Sequence, residues 1–166
     1  MPQIKVFTDN NKNYTVTAEG DVIGELAYKN WYSNKAEVIM ATEEHYIIEN
    51  KNFWGTQQEV KQEGAAVLLL KARWDGGIAI ILPKDKEHYY EFKPKGYFTN
   101  AYILTNYKEE ELLILTPDFS WKKFMAGYTI NCNGNFGTTS LDKLLLMICI
   151  YHYKVTQAMQ MAAATN

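Results

Sequence analysis

The side chains of this chain that can do chemistry are few and scattered. His45, His88 and His152 lie in no His-x-x-x-His, His-Glu-x-x-His or cysteine-pair context, so no metal-ligand set is spelled out. Ser33, Ser120 and Ser140 fall outside any Gly-x-Ser-x-Gly elbow, the turn that exposes a nucleophilic serine. Glu43-Glu44 and Glu109-Glu110-Glu111 are neighbouring carboxylates in polar, turn-like runs. They read as a solvated rim, because an acid/base pair needs two contrasting environments. Asp9-x-Asn11-x-Asn13 opens like a calcium loop but has Tyr14 where glycine and Gly20 where glutamate are required. Cys132 and Cys149 form neither a disulfide framework nor a metal pair. Neither a metal nor a cofactor is expected.

Other residues point to binding. Lys71 and Arg73 are two apart, so in a strand they share one face, beside Trp74. They read as a salt-bridged surface or as a basic site. Gly137, Thr138 and Thr139 precede a helical pattern, whose first N–H groups either cap locally or hold an anion. The P-loop lysine is missing there. Lys84, Lys86, Lys93 and Lys95 flank one hairpin, diluted by Asp85, Glu87 and Glu91. Trp31-Tyr32 and Phe53-Trp54 fall in loops, as packed lids or as exposed anchors for a partner.

The elements that must position these residues follow from composition and pattern. The chain has 166 residues, 47% hydrophobic and 22% charged, which suits one globular domain over 1–166. A net charge of −2 and a pI of 5.9 speak against a wholesale nucleic-acid binder. Aromatics at 14% with only 4 Pro favour strands. No basic stretch leads into an apolar one near Met1, so the expected compartment is the cytoplasm, with contact at a membrane periphery as an option. From about 3 to 131, short β-like runs alternate with turn residues. Ala65–Ala72, the Asp75-Gly76-Gly77 turn and Ile78–Leu82 give the clearest hairpin. Pro94-Lys95-Gly96 is expected to turn into a strand over Tyr97–Thr105, and Pro117–Ala126 to be irregular. Twelve such runs suit an antiparallel barrel or sandwich.

The end of the chain changes character. Thr139-Ser140-Leu141-Asp142 has the form of a capping box with Asp in place of Glu, followed by eight apolar residues, Leu144–Tyr151. A helix is expected over about 140–162, with a buried strand at Leu144–Tyr153 as its competitor. Apolar on every side, such a helix must be surrounded by protein or by lipid. Lys143 and Lys154 bracket ten residues. Those span about 15 Å, against roughly 30 Å for a hydrocarbon core. The chain therefore does not read as an integral membrane protein. A sheet of about twelve strands can close around one helix. The expected fold is mainly β, an antiparallel closed barrel of about twelve strands around a C-terminal hydrophobic helix.

Short strands followed by one apolar terminal helix resemble the tubby-like C-terminal superfamily of tubby proteins, phospholipid scramblases and LURP-one-related proteins. The local patterns are Gly20-Asp21-Val22-Ile23-Gly24-Glu25-Leu26, Gly77-Ile78-Ala79-Ile80-Ile81 and Leu141-Asp142-Lys143-Leu144-Leu145-Leu146. The resemblance implies a twelve-stranded barrel around a hydrophobic helix and a non-enzymatic role in binding lipid headgroups or proteins. Tubby proteins use strand-borne basic residues for phosphoinositides; Lys71 and Arg73 do not align to that site and are read as basic candidates from their own spacing. The expected function is a non-catalytic binding or scaffold module for an anionic lipid or a protein partner. The alternative is a small enzyme or ligand carrier with a site at a barrel mouth, using His45 or His88 with a carboxylate.

Overall fold

Twelve strands precede a single helix in the computed structural model, which describes residues 3–8, 12–29, 34–96, 100–118 and 127–164. The first six strands are β1 (Gln3–Thr8), β2 (Asn13–Ala18), β3 (Asp21–Tyr28), β4 (Ala36–Met40), β5 (His45–Asn50) and β6 (Gln57–Gln62). The next six are β7 (Ala65–Ala72), β8 (Ile78–Leu82), β9 (Asp85–Pro94), β10 (Tyr102–Asn106), β11 (Glu111–Asp118) and β12 (Gly127–Cys132). The helix α1 covers Ser140–Ala164. Each strand pairs antiparallel with its sequence neighbours, and β1 pairs with β12 from Gln3↔Asn131 to Val6↔Tyr128. The barrel is closed, so no sheet edge is left to recruit another strand.

The alternation of side chains decides which face turns inward. In β4, Ala36, Val38 and Met40 are buried, while Glu37 between them is exposed. A one-residue slip would turn that whole apolar set outward, so burial fixes the register. Tight turns join the strands where backbone chemistry allows. Between β6 and β7, Glu63 and Gly64 both take positive φ, 51° and 82°, as a two-residue hairpin turn with the twist of the sheet requires.

The lumen is filled by α1. Leu144 to Tyr151 are all at most 5% exposed, with Tyr153 and Lys154 equally enclosed. Eight consecutive residues cover every face of a helix, so the sheet surrounds it. This is the helix expected over 140–162; the alternative strand at Leu144–Tyr153 is not formed. At the start of α1, the Asp142 N–H donates to Thr139 Oγ1 (3.0 Å), and the Asp142 carboxylate accepts from the Gly137 N–H (3.0 Å) and Thr139 N–H (3.4 Å). Further along, the Tyr151 hydroxyl donates to Asn34 O (2.6 Å) and its ring stacks on Tyr28.

Two sequence expectations need correction. The strand expected from Tyr97 begins at Tyr102, with 97–99 outside the described residues. Pro94 and Pro117 belong to strands, not to the turns beside them. Each is at or next to the end of its strand, where a missing N–H interrupts little of the ladder.

Candidate functional site

In an antiparallel meander, successive connections fall at opposite ends of the barrel. Those after β2, β4, β6, β8, β10 and β12 share the end where α1 begins, here called the turn end. Those after odd-numbered strands share the other, the loop end. Chemistry separates along this division. The described loop-end connections carry six basic residues, Lys12, Lys29, Lys35, Lys51, Arg73 and Lys95, against one acid, Asp75. Those at the turn end carry six acids, Glu19, Glu43, Glu44, Glu63, Glu109 and Glu110, against Lys84 and Lys108. Ion pairs just below the loop-end rim, Lys35–Glu49 (3.7 Å) and Lys51–Glu59 (3.9 Å), take up part of the positive charge.

Two adjacent loops of this end present large aromatics to solvent. Phe53 is 94% exposed, Trp54 82% and Trp74 90%. Their backbones are nevertheless tied down. After β5, the Lys51 N–H donates to Gln57 O (2.8 Å), and the Gln58 side-chain amide donates to Gly55 O (2.7 Å). Asn52 Nδ2 donates to Thr56 Oγ1 (2.6 Å). Phe53 and Trp54 stand on this loop edge to face, with ring centroids 5.4 Å apart. The Ala72 N–H donates to Thr56 O (2.8 Å), which joins this loop to the one after β7.

The loop after β7 is held from three sides. Arg73 bridges Asp75 of the loop and Glu91 of β9. The Gly77 N–H donates to Asp75 Oδ1 (3.0 Å). His152 Nε2 of α1 lies 2.8 Å from Gly76 O, so the neutral tautomer that donates there is favoured. Burial pushes the His152 pKa down, and the Gly76 carbonyl and the Asp75 charge oppose it. For Asp75, burial works to raise the carboxyl pKa, but the Arg73 hydrogen bond, the Gly77 N–H and the Arg73 charge hold it below its ordinary value. A Cβ at Gly77 would come within 2.2 Å of Phe92 O, so only glycine lets the loop cross this close to β9.

Searches against protein-family models and curated proteins give no match. A solved X-ray structure of a protein from Arabidopsis thaliana is similar in fold, with a TM-score of 0.57 over 90% of this chain and 89% of that one. It too has a twelve-stranded barrel. At 10% identity the likeness bears on the fold alone.

The six site residues expected from sequence divide between the two ends. Lys71, Arg73 and Trp74 belong to the loop end, Lys71 exposed and Trp74 projecting, while Arg73 is engaged by its own chain's carboxylates. Gly137, Thr138 and Thr139 belong to the turn end, where two of the N–H donors meet Asp142. Phe53 and Trp54 are exposed and not packed as lids; Trp31 and Tyr32 lie outside the described residues. The expected hairpin at Pro83–Lys95 is instead the single strand β9, so Lys84 belongs to the turn end and Lys95 to the loop end, with Lys86 and Lys93 on the strand between them.

The turn end holds the remaining chemistry. His88 Nδ1 is 2.7 Å from Asp85 Oδ2, both side chains about half exposed. His45 lines an open groove of about 750 Å³ with Glu37, Glu43, Glu49, Lys61 and Glu63. Among the described residues, no group of three His, Cys, Asp or Glu side chains is placed to hold a metal ion. Burial raises the Cys132 thiol pKa to about 11, with the Asp142 charge adding to it, and Cys149 is likewise pushed up by burial. Both thiols are therefore protonated and poorly nucleophilic at neutral pH.

Proposed function

We propose that this barrel is a non-catalytic binding module whose loop end takes an anionic partner. The observation that carries this reading is the segregation of charge between the two ends, in a chain whose net charge is −2. Averaged over its surface, such a protein repels anions; a coherent basic end attracts them locally. Among the described residues, both thiols are held protonated by burial and offer no nucleophile at neutral pH. The partner class, anionic lipid headgroups or an acidic protein, shares the same requirement for concentrated positive charge.

A polyanionic resin tests this directly. At pH 7 and low salt the protein should be retained on a sulfonate cation exchanger despite a pI of 5.9. Lys29→Glu together with Lys51→Glu should abolish retention while lowering the melting temperature by only a few degrees, the cost of the Lys51–Glu59 pair, with the fold retained by circular dichroism. Flow-through of the native protein would refute the reading.

A second reading, a small enzyme at a barrel mouth, is favoured by the His88–Asp85 contact, because a carboxylate bonded to one ring nitrogen orients the imidazole and leaves the other nitrogen to meet a substrate. Turnover of activated esters that is lost in His88→Ala would support it.

A further inference from the structure

We infer that the loop end docks end-on against an anionic bilayer surface, with Phe53, Trp54 and Trp74 as its interfacial anchors. This rests on reading the loop end as the site of an anionic partner, and adds which partner and how it is held.

Three aromatic rings between 82% and 94% exposed are costly to leave in water. Here the loops that carry them are strapped to each other through Ala72 N–H and Thr56 O, and to α1 through His152. The rings therefore stand out on a fixed base and do not fold back onto the barrel. Tryptophan and phenylalanine on a rim of basic residues suit the headgroup layer, which offers an anionic plane above a layer that accepts aromatic rings.

The course of α1 points the same way. Tyr151 and His152 bond to Asn34 and Gly76, both in loop-end connections, so the helix reaches this end there. It then continues to Ala164. An acidic protein requires only the lysines. A bilayer also gives the three rings a favourable environment. Among the described residues, no helix is long and apolar enough to cross a membrane, so α1 would contact the interface and not span it.

The orientation differs from one in which a basic barrel wall meets the lipid. Arg73 is held by Asp75 and Glu91, and Lys71 lies below the rim on the outer face of β7. The acidic turn end faces away from the membrane, and the charge asymmetry itself orients the approach.

The test compares the native chain with Phe53→Ala/Trp54→Ala/Trp74→Ala in co-sedimentation with phosphatidylcholine vesicles, with and without phosphatidylserine, at low salt. All three positions are exposed, so circular dichroism and retention on the sulfonate resin should not change. Native protein should sediment with the phosphatidylserine vesicles only, and the triple variant should bind them about tenfold more weakly or less, since lost apolar area lowers interfacial affinity. Quenching of native tryptophan emission by acyl-brominated lipid should accompany binding. Resin retention without vesicle binding would overturn the bilayer as partner and leave an acidic protein or the turn end of a second copy. Equal binding by the triple variant would overturn the anchors. Loss of both resin and vesicle binding in the native chain would remove the underlying reading as well.

Discussion

The two ends of the barrel are built from the same sheet and behave as opposites. At the turn end the connections are mostly two to four residues long, and the four described non-glycine residues with positive φ are all glutamates, Glu19, Glu43, Glu63 and Glu109. The ladder also shifts register on the way to that end, in β2, β6, β8 and β10. Such bulges tighten the twist where the chain must reverse. At the loop end the described connections are basic, and those after β5 and β7, which carry the exposed aromatics, hold their shape through side-chain and helix contacts. Turn geometry dictates conformation at one end, and packing from below dictates it at the other.

The sharpest way to break this comparison is to remove what both ends rest on. Ile148 is fully enclosed, so Ile148→Asp buries an unpaired charge in the lumen. It should cost several kcal/mol and leave little folded protein by circular dichroism. Truncation after Gly137 should do the same.

Glycine substitutions distinguish the ends. Gly77→Ala at the loop end meets the backbone of Phe92 and Lys93, and should lower stability by about 3 kcal/mol in denaturant melts. Gly64→Ala at the turn end finds open space and suffers only its positive φ of 82°, which should cost about 1 kcal/mol. Equal costs would show that the loop end is not held from beneath as described.

A smaller effect comes from the cation under the loop end. Lys154 Nζ sits 3.9 Å from the centre of the Tyr28 ring, and burial lowers its pKa from 10.5 to about 8. Between those values the unfolded chain binds the proton more than the folded one, so this group makes stability rise with pH across pH 8–10. Tyr14, whose pKa burial raises to about 12, works oppositely once pH passes 10. Comparison with Lys154→Met cancels the tyrosines: the variant should be more stable by about 2 kcal/mol at pH 7, with the gap shrinking toward pH 10 in thermal melts. A gap that does not change with pH would refute the burial of a titrating lysine.

The smallest effect should be a gain. Glu43→Gly at φ 73° should stabilise by about 0.5 kcal/mol, a rise of about one to two degrees in Tm. If it does, the turn end keeps its negative charge at the expense of stability.

The barrel and its filling were legible in the chain because both signals are local. Leu144–Tyr151 announces burial on every face by its own composition, and hairpins such as Ala65–Leu82 announce themselves by alternation and turn residues. The bounds near Tyr97 and Pro117 were not, since proline at a strand end looks like proline in a turn. The loop end was glimpsed through Lys71, Arg73 and Trp74, three residues of one segment. Its wider character is spread over connections far apart in sequence that only the topology brings together. A signal was there: once an antiparallel meander is assumed, adding charges over alternate connections separates the lysines from the glutamates. The salt-bridged reading of Arg73 holds, but its partner Glu91 could not be named from sequence, because it comes from another strand.

The filling of the lumen is made after the sheet that encloses it. On the ribosome, twelve strands emerge before Leu144, the first of their fully enclosed partners, and at synthesis rates of about 5–20 residues per second they wait for it over seconds. During that interval the inward faces of the nascent strands have nothing to pack on. Until α1 arrives those faces are exposed, which makes that interval one in which the nascent sheet is prone to aggregate.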